Sequence, residues 1–229
     1  MRLKSTVLLA SAFVLVLAPS AWSDFCSQYC SPPAAYLAGY CQAVCSSNTT
    51  PLTTGGTDVP FQVHYATNLA IGDSVIDITN TGSSGGNICV NVYAFDPVEE
   101  LISCCACPVT PNALQSLSVR NDLISNTITP GVPTSVVIKL VATKQLNNSC
   151  GFSAAIASSL TLVPGMRAWG TTLHANTSAA AGTYAVTETE FAPAILSQGE
   201  LNRISYLCQY TEVDGSGFGI CNSCRTGGL

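Results

Sequence analysis

From about residue 59 onward the chain is a series of short runs in which apolar and polar positions alternate. In "PFQVHYA" the alternation puts Phe61, Val63 and Tyr65 on one side and Gln62 and His64 on the other, so a strand is expected that turns His64 outward. "DSVIDITN" sets Ile76 and Ile78 in one phase and Val75 in the other. "NICVNVYAFD" divides into Ile88, Val90, Val92 and Ala94 against Cys89, Tyr93 and Phe95. "ELISC", "LQSLSV", "TSVVIKLVA", "MRAWGTTLHA" and "TYAVTETEF" continue the series, separated by clusters of Gly, Pro, Asn and Asp. Seven or eight short strands without helices between them predict an antiparallel sandwich, Ig-like or jelly-roll-like. A parallel α/β sheet is excluded, because its crossover helices are missing. One helix is expected near the end. "SQGELNRISYLCQY" has Ser197 and Glu200 at capping-box spacing and an apolar stripe of Leu201, Ile204, Tyr206, Leu207 and Cys208.

The N-terminal pattern is different. Arg2 and Lys4 precede an apolar run from Val7 to Leu17, and small residues follow it, with Ala21 and Ser23 suited to a signal-peptidase site. That run is shorter than the roughly 20 residues a membrane span needs. Residues 1–23 therefore read as a cleaved secretory signal, which makes the mature protein secreted, periplasmic or extracellular, with no transmembrane segment after cleavage near Ser23. Next, residues 24–47 carry two C-x3-C pairs, Cys26/Cys30 and Cys41/Cys45. Cysteines four apart share a helical face, so two short helices stapled into a hairpin are expected, paired Cys26 to Cys45 and Cys30 to Cys41. Residues 48–58 read as a linker rich in Thr and Gly, and residues 59–229 as the β domain with its helix and a Cys-rich closing loop.

Composition narrows the partners. Losing Arg2 and Lys4 with the leader takes the formal charge from −5 to −7, and no basic stripe remains. Nucleic acid is a poor partner for such a surface. Charged residues make up only 9% of the chain, so the polar exterior must be built largely from hydroxyl and amide groups. Such faces suit contact with a surface glycan or a protein partner.

Twelve cysteines carry the conspicuous chemistry: Cys26, Cys30, Cys41, Cys45, Cys89, Cys104, Cys105, Cys107, Cys150, Cys208, Cys221 and Cys224. An even number behind a secretory signal points to disulfides. Strand periodicity gives Cys105 and Cys107 one face and Cys104 the other. A hairpin turning at "DPVE" would bring Cys89 opposite Cys105 to Cys107, so a bridge from Cys89 to Cys105 or Cys107 is expected. The remaining cysteines would reach Cys150, Cys208, Cys221 or Cys224. A zinc or iron–sulfur site is the competing reading of C-C-x-C with C-x2-C, but structural zinc favours C-x2-C in both halves, and export oxidises thiols. No thioredoxin-like βαβ pattern surrounds Cys221 either. A disulfide knot with no metal and no cofactor is the expectation.

Candidate catalytic groups are sparse. The two histidines are His64 and His174, and no G-x-S-x-G elbow accompanies them. Glu188 and Glu190 project from one strand face, as a glycosidase carboxylate pair would. The leading reading is a structural or surface-binding module with no evident catalytic activity; the alternative is an extracytoplasmic hydrolase using His174 or the Glu188/Glu190 pair. "VDGSGFG" follows a helix and not a strand, so it is a tight loop delivering Cys221 and Cys224 rather than a dinucleotide fingerprint. Asn48, Asn147 and Asn176 lie in N-x-S/T acceptors.

At "CCACPVTPN", "RAWGTTLHAN", "YAVTETEF" and "GSGFGICNSCR" the chain resembles a group of exported bacterial proteins for which no activity is established. The resemblance runs from about Asp73 to the end. It implies export and a disulfide-bonded β domain, and it transfers no site residue.

Overall fold

The computed structural model describes residues 58–222, apart from residues 177, 179, 181, 214 and 216. The chain divides into two units, Met1–Cys45 and Ser46–Leu229, and every described residue belongs to the second. The expected leader, the stapled helical hairpin with its two cysteine pairs, almost all of the linker, and Cys224 lie outside the described residues.

Among the described residues nine strands form two antiparallel sheets. In chain order they are β1 (Phe61–Ala66), β2 (Val75–Asn80), β3 (Ile88–Phe95), β4 (Leu101–Val109), β5 (Leu114–Ser118), β6 (Val136–Lys144), β7 (Met166–Ala175), β8 (Tyr184–Glu190) and β9 (Ala192–Pro193). One sheet has the order β4-β3-β6-β1-β9, the other β5-β2-β7-β8. A helix, α1 (Gln198–Val213), follows the last strand. The chain crosses repeatedly from one sheet to the other, which makes this a sandwich.

The main core lies between the sheets. Ile76, Ile78, Leu117, Met166 and Ala168 of the four-stranded sheet pack on Val90, Val92, Val109, Ile138 and Leu140 of the five-stranded one. A second apolar cluster covers the other side of the five-stranded sheet, where Cys89, Tyr93, Phe95 and Val141 meet Cys150, Ala154 and the α1 residues Leu201, Ile204 and Cys208. β3 is consequently buried at all eight positions. The four-stranded sheet is covered on one face only, and alternation in β2 and β7 follows from that.

This asymmetry corrects the expectation for β1. Gln62, His64 and Ala66 point into the main core and are buried, whereas Tyr65 on the opposite face is 56% exposed. The second cluster covers the opposite face of β1 at Phe61 but not at Tyr65, so apolar residues stand in both phases and alternation there does not reveal the inner side. His64 stacks on Phe191 with ring centroids 4.7 Å apart. It has room because residue 170 is glycine: a Cβ at Gly170 would stand 2.4 Å from the His64 Nε2. Burial pulls the His64 pKa below its ordinary value.

Local signals behave as their chemistry requires. Asp96 closes the β3–β4 loop, its carboxylate accepting from the N–H of Val98 at 3.0 Å and of Glu100 at 2.9 Å. The expected strand "LQSLSV" ends at Ser118. A single π-helical turn, Val119–Leu123, replaces its continuation, so the strands are not joined by loops alone. Ser118 Oγ accepts from Asn121 N at 2.8 Å, and the Asp122 carboxylate from Ser118 N at 2.7 Å.

Candidate functional site

The described disulfides fasten outlying segments to the β3–β4 hairpin. Cys89 pairs with Cys150, Cys104 with Cys208 and Cys105 with Cys221. Cys107 is disulfide-bonded as well. The expected bridge from Cys89 to Cys105 or Cys107 is wrong, and the register explains why. Cys105 lies opposite Val92 and Cys107 opposite Val90, whereas Cys89 lies opposite Pro108. Directly opposed residues share a face, so Cys105 and Cys107 enter the main core while Cys89 joins the second cluster. The predicted division of Cys104 from Cys105 and Cys107 does hold. The adjacent Cys104 and Cys105 thus tie two different segments to opposite faces of β4: α1 through Cys208 and the C-terminal loop through Cys221.

That loop also seals the edge of β4. Cys104 N donates to Gly219 O at 2.8 Å, and Cys221 N to Cys104 O at 3.3 Å. Gly219 has φ +79°, and a Cβ there would meet Ile128 at 2.4 Å, so the glycine-rich composition serves close approach.

A grouping of three potential metal ligands among the described residues is Cys104, Cys208 and Glu212. The two sulfurs are bonded to each other and offer no thiolate charge, so the donor set does not suit zinc.

The candidate catalytic groups do not converge. His174 lies opposite Ala185 and takes the inward phase of β7 beyond the covered part of the sheet; its Nε2 is 2.9 Å from Thr187 Oγ1. Glu188 and Glu190 lie opposite Thr171 and Trp169, which take the outward phase. The pleat therefore puts the imidazole and both carboxylates on opposite faces of one sheet. The two glutamates stand side by side on an open face, and Glu190 Oε1 accepts from Arg167 Nη2 at 2.6 Å and Nε at 3.0 Å. A glycosidase needs its carboxyl groups flanking the scissile bond.

What the fold does assemble is the outer face of the four-stranded sheet. Trp169 sits at its centre and is half-buried. Asp77 of β2 lies directly across from it on one side and Glu190 of β8 on the other. Along β7 its neighbours in phase are Arg167, whose guanidinium lies 5.3 Å from the indole centroid, and Thr171. Ser116 of β5 lies opposite Asp77 and donates its hydroxyl to that carboxylate. Thr79 Oγ1 donates to Ala113 O at 2.8 Å. Around Trp169 the face thus presents an aromatic plane ringed by hydroxyls, three carboxylates and one guanidinium, and toward its far end it carries Leu173, Val186 and Tyr184 in the same phase. The three acids are Asp77, Glu188 and Glu190, against the single base Arg167. Sequence reading passed over Trp169, Asp77 and Arg167. The signal was present in "MRAWGTT", where Arg167, Trp169 and Thr171 recur at every second position, but only the tertiary fold shows which phase is outward.

A separate cleft of about 200 Å³ is lined by Phe95, Asp96, Glu99, Val137, Lys139 and Arg203. Its cations are committed. Lys139 and Arg203 both pair with Glu200 and both lie over the Phe95 ring, at 4.5 and 5.3 Å. Burial alone would raise the Glu200 pKa, but the hydrogen bonds and charges of Arg203 and Lys139 outweigh it and hold the carboxyl below its ordinary value. The cluster docks α1 on β6.

Compared with family models, with curated proteins and with solved structures, the chain matches none of them. The class that fold and site define is a disulfide-stabilised antiparallel β-sandwich with one polar, aromatic-centred face open. No helix among the described residues is long and apolar enough to cross a membrane.

Proposed function

We propose that this protein is an exported binding module that holds a neutral glycan against the outer face of its four-stranded sheet. The observation that carries the reading is Trp169, a half-exposed indole on the outer strand face between Asp77 and Glu190. A pyranose ring offers an apolar C–H face to an aromatic plane and a rim of hydroxyls to carboxylate acceptors, and this face supplies both. Three carboxylates against one guanidinium disfavour polyanions. Disulfide bonding and the secretory-type leader support action outside the cytoplasm.

The test uses the single reporter that the sequence provides. Once the leader is removed with Trp22, Trp169 is the only tryptophan, so intrinsic emission reports this face alone. Titration with neutral polysaccharides should shift or quench that emission. Trp169→Ala should weaken binding about tenfold or more by calorimetry, the loss of one stacking platform in a shallow site. Emission unmoved by every neutral polysaccharide tested would sink the reading.

A further inference from the structure

β8 is an anomaly in the packing. All seven of its residues, Tyr184–Glu190, are exposed, on both faces, and Tyr184 and Val186 remain 43% and 59% accessible. Among the described residues it is also an edge strand, paired only with β7. Two hydrogen bonds flanking the pair reveal which backbone groups are unused: Asn176 N donates to Thr183 O at 3.4 Å and Phe191 N to Ala168 O at 2.8 Å. Antiparallel ladders alternate, so Ala185, Thr187 and Thr189 exchange hydrogen bonds with His174, Thr172 and Gly170. Tyr184, Val186, Glu188 and Glu190 then turn their N–H and C=O groups toward the free edge. A long free edge of this kind is a template for another strand.

We propose that β8 pairs with β8 of a second copy of this chain, antiparallel and two-fold about Thr187, joining two four-stranded sheets into one continuous sheet. The order of Tyr184, Val186, Glu188 and Glu190 is self-complementary about Thr187, which suits a second copy, and charge selects the register. Centred on Thr187, Glu188 faces Val186 of the other copy, Glu190 faces Tyr184, and Ala185 faces Thr189. All seven residues find partners, and no carboxylate lies directly opposite a carboxylate. Centring on Glu188 would oppose Glu188 to its own copy, a destabilising like-charge pair. Centring on Val186 would leave Glu190 beyond the end of the partner strand. Only residues with outward backbone groups can form the hydrogen-bonded pairs, and the Thr187 register matches each such residue with another. The proposal does not depend on the glycan reading, although it would bring two Trp169 faces onto one surface.

Sedimentation equilibrium of the oxidised mature protein should show a reversible dimer. Val186→Lys places a lysine opposite Glu188 twice per dimer and should tighten the dissociation constant about three- to tenfold at low salt; Val186→Glu should weaken it by a similar factor. Position 187 becomes a non-hydrogen-bonded pair with itself, with Cα atoms about 4.5 Å apart, close enough for a disulfide. Thr187→Cys should therefore give an inter-chain disulfide-linked dimer under mild oxidation. A strictly monomeric protein across the concentration range, or a dimer indifferent to both Val186 substitutions and not linked through residue 187, overturns the proposal. Glycan titration on the same samples keeps the two readings apart, since Trp169 emission responds to ligand whether or not the copies pair.

Discussion

At Glu212 a carboxyl lies beside the Cys104–Cys208 bridge with its Oε2 buried and unpaired, and burial pushes its pKa up to about 7. The native state therefore holds a proton that the unfolded chain releases near 4.5. Native protein binds more protons than unfolded between those values, so this residue's contribution to stability falls as pH rises from about 4.5 to about 7 and stays low above. His64 acts in the opposite sense. Its depressed pKa means that the unfolded chain takes up a proton first below its ordinary 6.5, and stability is lost as pH falls from there toward the native value. Glu212→Gln should raise the melting temperature at pH 8 and leave it nearly unchanged at pH 4.5. Thermal denaturation of the two proteins across that range would show it, and parallel curves would refute it. Tyr93 beside this region is driven well above the usual phenol value, by its burial first, and donates to Ala154 O at 2.7 Å.

α1 is joined to β4 covalently through the Cys104–Cys208 bridge. Its buried residues are Leu201, Ile204, Ser205, Cys208 and Thr211, so two of the five are hydroxyl residues. Ser205 Oγ donates to Leu201 O and Ala157 O, and Thr211 Oγ1 to Leu207 O. Ser197 caps the start, its Oγ accepting from Glu200 N at 3.1 Å, but the Glu200 carboxylate reaches Lys139 and Arg203 instead of closing the capping box. A helix of sixteen residues is marginal without docking. Replacing both Cys104 and Cys208 by serine should cost about 4–5 kcal/mol for a loop of 104 residues and raise amide exchange across residues 198–213 well above that of β3 and β6. Equal protection of helix and strands in that variant would show that packing and the Glu200 ion pairs hold α1 alone.

For the whole molecule, the bridges close long loops. Cys89–Cys150, Cys104–Cys208 and Cys105–Cys221 span 61, 104 and 116 residues. Loops of that size correspond to about 4–5 kcal/mol each when counted singly on the chain-entropy model, against a typical domain stability of about 5–15 kcal/mol. Reduction by a strong thiol should therefore unfold the sandwich or lower its melting point steeply, and a chelator should leave it unchanged. Mass spectrometry of unreduced protein should find no alkylation at Cys89, Cys104, Cys105, Cys107, Cys150, Cys208 or Cys221. Free thiols there, with a folded domain, would contradict the architecture.

Strand alternation alone determined most of the sheet content of this protein. The phases of β2, β3 and β4 read correctly because Ile76/Ile78, Val90/Val92 and Cys105/Cys107 repeat every second residue. The capping position of Ser197 was equally legible, since a hydroxyl three residues before an N–H is a local fact. Tertiary structure decided what alternation cannot carry. β1 carries apolar residues in both phases, with Phe61 buried on the face opposite the main core, so its sequence does not say that His64 points inward. The partner of Cys89 depended on register: one face of the β3–β4 hairpin is the main core and the other lies beneath α1 and the segment around Cys150, and no local rule specifies which distant segment lies on which. The outer face around Trp169 exists because four strands from separated parts of the chain align one phase, and that alignment is a property of the pairing, not of any one strand.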